Sequence, residues 1–278
     1  MAKKKSPAGE AAPEKEPEEK KSSGCPLVDG LPDNSRATVE DYVAAASEYV
    51  RSAPTLNDSQ KKVGQIKLSA GLAIALRNDL LRLRPDLRIR TGEHPVSGAL
   101  RVVNADLSEF HLLDGLRLAV EIKPVNLAVG RAIWNRFGDI RTFGVNLHLK
   151  FPFAVIGGVL TFPTYEIGKV TKKRPDGRKP TEHLIQRAVK RITRAGGRET
   201  EGDAPHLLEA IGVVVYDPGT GKIHPTLPPP GSTLRWNEFV EGLARAYESR
   251  FEGQEEAAET AIDAMASEGE AAAEDDGA

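Results

Sequence analysis

The chain is predicted to be an α/β protein with a mixed central β-sheet flanked by helices, and three observations predict it. A long helical pattern is followed by a tightly turned pair of extended runs. A second helix leads into an apolar strand, and helices and strands then alternate to the end of the body. With 278 residues and 40% hydrophobic content, one core of this kind can be filled.

Asn57 and Asp58 are cap-type residues ahead of a stretch in which Val63, Ile66, Ala70 and Ala73 recur at spacings of three and four. A helix therefore begins there and stops before Pro85. From Leu100 to Lys123 two extended runs surround Asp114-Gly115, a dipeptide suited to a two-residue type I′ turn, which predicts a β-hairpin. A second helix from about Ala128 to Leu149 places Ile133, Phe137, Ile140 and Leu147 on one face, and PFAVIGGVLTF after it reads as a buried strand. TEHLIQRAVKRITRA, residues 181–195, is a basic amphipathic helix ended by Gly196-Gly197. IGVVVYDPGTGKIHP is a strand and turn, and TLRWNEFVEGLARAYESRF is a closing helix capped by Ser232 or Thr233. Trp134 and Trp236 fall in helical patterns and are expected in the core.

Charge divides the chain into three parts. Residues 1–24 carry 6 Lys and 5 Glu with no aromatic, Leu, Ile or Val, and residues 253–278 carry 9 acidic residues and no Lys or Arg. Both are expected to be disordered tails around one domain at 25–252, because neither can bury enough surface to offset its ordering entropy. The tails contribute +1 and −9, so the net charge of −2 leaves a body of +6. A basic body suggests a polyanionic partner. No apolar run approaches the ~18 residues of a membrane span, and the start lacks an apolar signal segment, so a cytoplasmic protein without membrane contact is expected. Cys25 is the single cysteine, which excludes an internal disulfide framework and a multi-cysteine zinc site.

The hairpin concentrates the chemistry. With a two-residue turn, Leu113 faces Leu116, Asp106 faces Lys123 and Ser108 faces Glu121. Opposed Cβ atoms lie about 4.5 to 5.5 Å apart and diagonal ones about 7 to 8 Å, so Asp106, Glu121 and Lys123 converge on one face. Two carboxylates beside an ammonium suit a hard divalent cation such as Mg²⁺, which takes oxygen ligands and retains water. A bound Mg²⁺ stabilises charge on a phosphoryl oxygen and acidifies the attacking water, and the lysine can position that water. A bare E-x-K is ordinarily a solvated sheet face, but here it interrupts an apolar strand and is paired with an Asp that interrupts another.

Asp106, fourteen intervening residues and Glu121-Ile122-Lys123, followed by a polar helix and a buried strand, resemble the core of the PD-(D/E)XK nuclease superfamily, most of all its type II restriction endonucleases. The resemblance covers roughly residues 58–165. It implies that Asp106, Glu121 and the carbonyl of Ile122 bind Mg²⁺, that Lys123 contacts the scissile phosphate or the water, and that the products are a 5′-phosphate and a 3′-hydroxyl. It further implies site-specific hydrolysis of double-stranded DNA, with a homodimer cutting both strands. A repair or recombination nuclease of the same fold and a DNA-binding protein without catalysis are the alternatives. Two positions depart from the pattern: Ala105 stands where the family often has proline, and the helix Ser59 to Arg84 has no glutamate, with Gln65 and Glu93 as candidate substitutes.

Two further segments are candidates for DNA contact. On the second helix, Arg131, Asn135, Asp139, Thr142 and Asn146 form a polar stripe in which Arg131 and Asn135 are the candidate contacts, with Arg136 and Arg141 off the stripe. From Lys169 to Arg198 there are 11 Lys and Arg residues, a density that attracts phosphates without reading sequence; Lys172, Lys173, Arg174, Lys190 and Arg191 are the candidates. Gly219 to Lys222 is a hairpin turn rather than a phosphate loop, and the six histidines show no metal-type spacing.

Overall fold

A computed structural model describes residues 37–252; the two tails and Cys25 lie outside the described residues. Two helices precede the sheet. α1 (Val39–Ser52) starts at a capping box in which the Thr38 hydroxyl accepts from the Asp41 N–H and the Asp41 carboxylate accepts from the Thr38 N–H. The sequence pattern does not mark it, because valines, tyrosines and small residues, rather than Leu or Ile, make its buried face. α2 (Asp58–Leu83) is capped by Asn57 and Gln60 in the same way and ends before Pro85 as expected. Its core face is Leu68, Leu72, Leu76 and Leu80, whereas Ile66 of the anticipated stripe is 58% exposed. Four leucines at i, i+4 bury more apolar area than the Val63, Ile66, Ala70, Ala73 row, so they take the core.

The remaining elements are β1 (Arg90–Ser97), β2 (Val102–His111), β3 (Gly115–Pro124), α3 (Val129–His148), β4 (Val155–Pro163), β5 (Tyr165–Ile167), β6 (Arg178–Pro180), α4 (Glu182–Ile192), β7 (Ala210–Asp217), β8 (Lys222–Ile223) and α5 (Trp236–Phe251). Six strands form the mixed central sheet in the order β1-β2-β3-β4-β7-β8, and β5 pairs with β6 in a small separate arm. The pairs β3/β4 and β4/β7 are parallel and the others antiparallel. β4 is buried at all nine positions, the pattern of a strand covered on both faces. On one face Leu118, Val120 and Ile122 pack with Tyr42, Leu72 and Phe239 of the α1, α2 and α5 layer. On the other, Ala119, Ile156 and Leu160 pack with Ile133, Ile140 and Ile185 of the α3 and α4 layer. Among the described residues no helix is long and apolar enough to cross a membrane.

The β2–β3 hairpin corrects the expected register. Its connection is the three-residue loop Leu112 to Asp114, and Gly115, at φ +73°, opens β3 in the left-handed region. Asp114 is no turn-pair residue: its carboxylate accepts from Arg117 Nε at 2.6 Å. The loop alone puts His111 opposite Gly115, three positions away from the expected alignment, which would turn every side chain over. An irregularity between Glu109 and Phe110 takes up one residue on β3, so that Leu107 faces Val120. The net slip of two preserves the face, and continuing this register puts Asp106 across from Glu121 rather than Lys123.

At the closing helix the expected cap also differs. α5 is preceded by Arg235 with no side-chain cap, and Ser232 Oγ instead accepts from the Leu234 N–H at 3.3 Å. Trp236 is buried as expected, but Trp134 is 39% exposed, because it lies at the rim of α3 rather than on the side facing the sheet.

At the end of the sheet where β4 and β7 begin, Glu209 accepts from Arg198 Nη1 at 2.9 Å, Arg250 Nη2 at 2.7 Å and the Ile156 N–H at 2.7 Å, with His148 Nε2 at 3.1 Å. Burial opposes ionisation of Glu209, but the hydrogen bond and charge of His148, the Arg250 guanidinium and the Ile156 N–H outweigh it and hold the carboxyl below the usual range. Glu209→Ala would leave two guanidinium groups facing each other in a dry site, so urea unfolding should show a loss of about 3 to 5 kcal/mol. A loss below about 1 kcal/mol would show that the cluster does not brace the fold.

Candidate active site

The site is built where the sheet splits. β3 pairs with β4 as far as Pro124, but its pairing with β2 runs only from Gly115 to Val120. The Ile122 N–H, left without a strand partner on the β2 side, donates to the Asp106 carboxylate, Oδ2, at 2.7 Å. A side chain thus replaces a main-chain acceptor, which satisfies the buried donor and fixes the carboxylate at the mouth of the gap. In an extended strand the N–H and C=O of one residue leave on the same side, so the Ile122 carbonyl is directed toward β2 as well.

Asp106, Glu121 and Lys123 come together as the sequence predicts. Glu121 is only 7% exposed and one of its oxygens forms an ion pair with Lys123 Nζ. The other, Oε2, is buried with no hydrogen-bond donor on it. Burial pushes the Glu121 carboxyl up to about 7, against the pull of Lys123, and the charges of Asp106 and Asp139 add to the rise. Burial raises Asp106 too, opposed by the Ile122 N–H and Lys123 and reinforced by Glu93. Two acids crowded into a desolvated gap with one lysine are short of positive charge.

A cleft of about 490 Å³ opens over Asp106, Ile122 and Lys123, with Glu121 buried outside its lining. α2 supplies one wall through Gln65, Ile66, Ser69 and Ala70, which explains why the predicted Val63 to Ala73 stripe does not face the core alone. Glu93 of β1 lines the cleft and accepts from Asn104 Nδ2 at 3.3 Å. Gln65 accepts from Asn126 Nδ2 at 3.4 Å, and the Asn126 carbonyl in turn accepts from Tyr216 at 2.8 Å and Tyr42 at 3.2 Å. Asn126 was not foreseen; nothing in its sequence neighbourhood marks a fully buried amide.

α3 contributes Ala132 and Arg136 to the cleft, and Arg136 Nη1 donates to Asp139 at 3.0 Å. Arg131 and Asn135 are exposed on the adjoining face and lie outside the cleft lining. Asn146 is buried, accepting from the Leu100 and Arg101 N–H groups at 2.7 and 3.1 Å, so it pins a turn rather than facing solvent. Lys172, Lys173 and Arg174 are exposed in the connection between β5 and β6, and Lys190 and Arg191 are exposed on or at the end of α4.

The donor set fits Mg²⁺ and not a softer metal. Two carboxylates and a carbonyl are the oxygen ligands this ion combines with water, and the donor-free Glu121 Oε2 is the orphaned atom a cation would satisfy. Among the described residues no group of three or more His, Cys, Asp or Glu side chains is placed to hold an ion, so water would have to complete the shell. Comparison with protein-family models, curated proteins and solved structures gives no match for this chain.

The raised acids fix the sign of a pH effect. Between the ordinary glutamate value of 4.5 and about 7, the folded protein holds a proton that the unfolded chain releases. Stability without metal therefore falls as pH rises through that window. Glu121→Gln should flatten the fall, giving a higher Tm than wild type at pH 7.5 and a similar one at pH 4.5. Superimposable Tm-against-pH curves would mean that Glu121 is not under this strain.

Proposed function

We propose that this protein is a Mg²⁺-dependent endonuclease with a restriction-endonuclease-like core, hydrolysing phosphodiester bonds of double-stranded DNA. The observation that carries the reading is the pair of desolvated carboxylates beside Lys123 where β2 leaves β3, Asp106 lining the cleft with Lys123 and Glu121 buried against the Lys123 ammonium. Asp106, Glu121 and the Ile122 carbonyl would hold the ion. When bound, it would stabilise charge on a phosphoryl oxygen and lower the pKa of the attacking water.

The chain's own groups have separate tasks. The Asp106 carboxylate orients β3 through the Ile122 N–H, so carboxylate and carbonyl are aimed together. The Lys123 ammonium is held against Glu121 and is poised to contact the scissile phosphate or orient the water. The sequence resemblance adds the polarity of the cut, a 5′-phosphate and a 3′-hydroxyl. One site cuts one strand, so double-strand cleavage calls for two chains, most simply a homodimer. The Lys123–Glu121 pair also favours a second reading, a DNA-binding protein in which the three residues are a surface ion cluster.

Digestion of a long DNA of known sequence with Mg²⁺ separates the readings. Discrete fragments indicate restriction-like specificity, a smear indicates a repair-type or non-specific nuclease, and intact DNA with a retained gel shift indicates binding alone. Asp106→Asn retains an acceptor for Ile122, so it and Glu121→Gln should each lower cleavage at least about 100-fold with folding intact, as should Lys123→Ala. Mg²⁺ and Mn²⁺ should support cleavage and Ca²⁺ only binding. Undiminished cleavage in excess chelator would defeat the metal assignment.

A further inference from the structure

On the opposite side of α3 from the cleft lies a groove of about 410 Å³ between α3 and the end of α4. Arg141, Arg191, Arg194 and His206 line it around the rim residue Trp134. Several arginines elsewhere among the described residues are neutralised, as Arg136 is by Asp139, Arg178 by Asp176 and Arg198 by Glu209. Among the described residues, Arg141, Arg191 and Arg194 have no carboxylate partner; the contact of Arg191 is with the indole of Trp134, its guanidinium carbon 4.8 Å from the ring centroid. Stacking holds the guanidinium plane and leaves its edge donors available, the arrangement suited to phosphate oxygens. At Gly138 a side chain would meet nothing within 4 Å, so the floor of the groove is open to a close-approaching chain.

We propose that this groove binds the sugar–phosphate backbone of a nucleic-acid strand, with Arg141, Arg191 and Arg194 on phosphates and Trp134 offered to a base. A linear polyanion is favoured over a single phosphate because the exposed Arg187, Arg191 and Arg194 follow one another at spacings of four and three along α4 and the turn after it, with Lys190 beside them. At ~1.5 Å per residue this row extends roughly 10 Å, more than one phosphate spacing of a strand. The exposed Arg131 and Asn135 form the ridge between groove and cleft, so a strand leaving the groove over this ridge reaches Arg136 and the Asp106 site. The choice of nucleic acid rests on the nuclease reading, whereas the demand for a polyanion does not.

The test is fluorescence anisotropy with a labelled 30-base-pair duplex and its single strand in chelator, where cleavage cannot intervene. Replacing Arg141, Arg191 and Arg194 together by Gln should weaken binding at least tenfold at low salt. It should also reduce the slope of log K against log salt by about 2 to 3, at ~0.9 per phosphate contact. The corresponding three Lys substitutions should restore most of both. DNA should quench the emission of Trp134 in the unaltered protein and not in Trp134→Phe, since Trp236 is buried. An unchanged salt slope in the triple Gln variant, no quenching in wild type, or binding of phosphatidylserine vesicles in preference to DNA would each overturn the proposal. Groove-dependent DNA binding without Mg²⁺-dependent cleavage would sustain the groove and refute the nuclease; cleavage that is indifferent to the groove would do the reverse.

Discussion

One hydrogen bond organises the functional end of this molecule, the donation of the Ile122 N–H to the Asp106 carboxylate. A central strand must find acceptors on both sides, and β3 has β4 on one side as far as Pro124 but loses β2 after Val120. Without a substitute, opening the sheet would orphan a buried donor at a cost of about 1 to 3 kcal/mol. With the carboxylate in that place the gap is tolerated. The same bond that permits the cleft therefore also positions one of its two acids.

The electrostatics follow from this opening. Asp106 reaches from β2 to the Ile122 N–H, Glu121 is held on β3 against Lys123, and burial raises both acids. Lys123 compensates one negative charge, and burial still pushes Glu121 up to about 7. Such a site is under tension as a purely structural feature, because uncharged residues would pack there at less cost. A divalent cation would relieve it, since it lowers the pKa of both acids and supplies the missing donor-side partner for Glu121 Oε2.

α3 is the divider of the charged surface. Its apolar side, Ile133, Phe137, Ile140 and Leu147, is fixed against the sheet, so the other faces have no freedom to rotate. Ala132 and Arg136 are committed to the cleft, Trp134 and Arg141 to the groove beside α4, and Arg131 and Asn135 to the ridge between. Residues adjacent in sequence thus serve different surfaces. Where α3 meets α4, three arginines without a carboxylate partner among the described residues, Arg141, Arg191 and Arg194, line one groove.

The sequence by itself determined the α/β class, the extents of α2 and α3, the buried strand β4, and the sharing of one face by Asp106, Glu121 and Lys123. These depend on period, cap residues and breakers, which act over a few neighbouring positions. It did not disclose α1, whose buried face is Val, Tyr and small residues with no Leu or Ile, nor β1, whose edge-strand residues are largely polar. The loop Leu112 to Asp114 was misread because two exposed leucines imitate strand residues beside an Asp-Gly pair. Tertiary structure decided that alignment, because Arg117 makes room for itself by an irregularity in β3 and bonds Asp114 and the Tyr247 hydroxyl. It also decided which stripe of α2 enters the core and which walls the cleft, a competition settled by the area each stripe can bury against a sheet that no local pattern describes. The Gln65–Asn126 contact and the meeting of Arg141 with Arg194 are decided in the same way, since they join residues tens of positions apart whose encounter is set by packing alone.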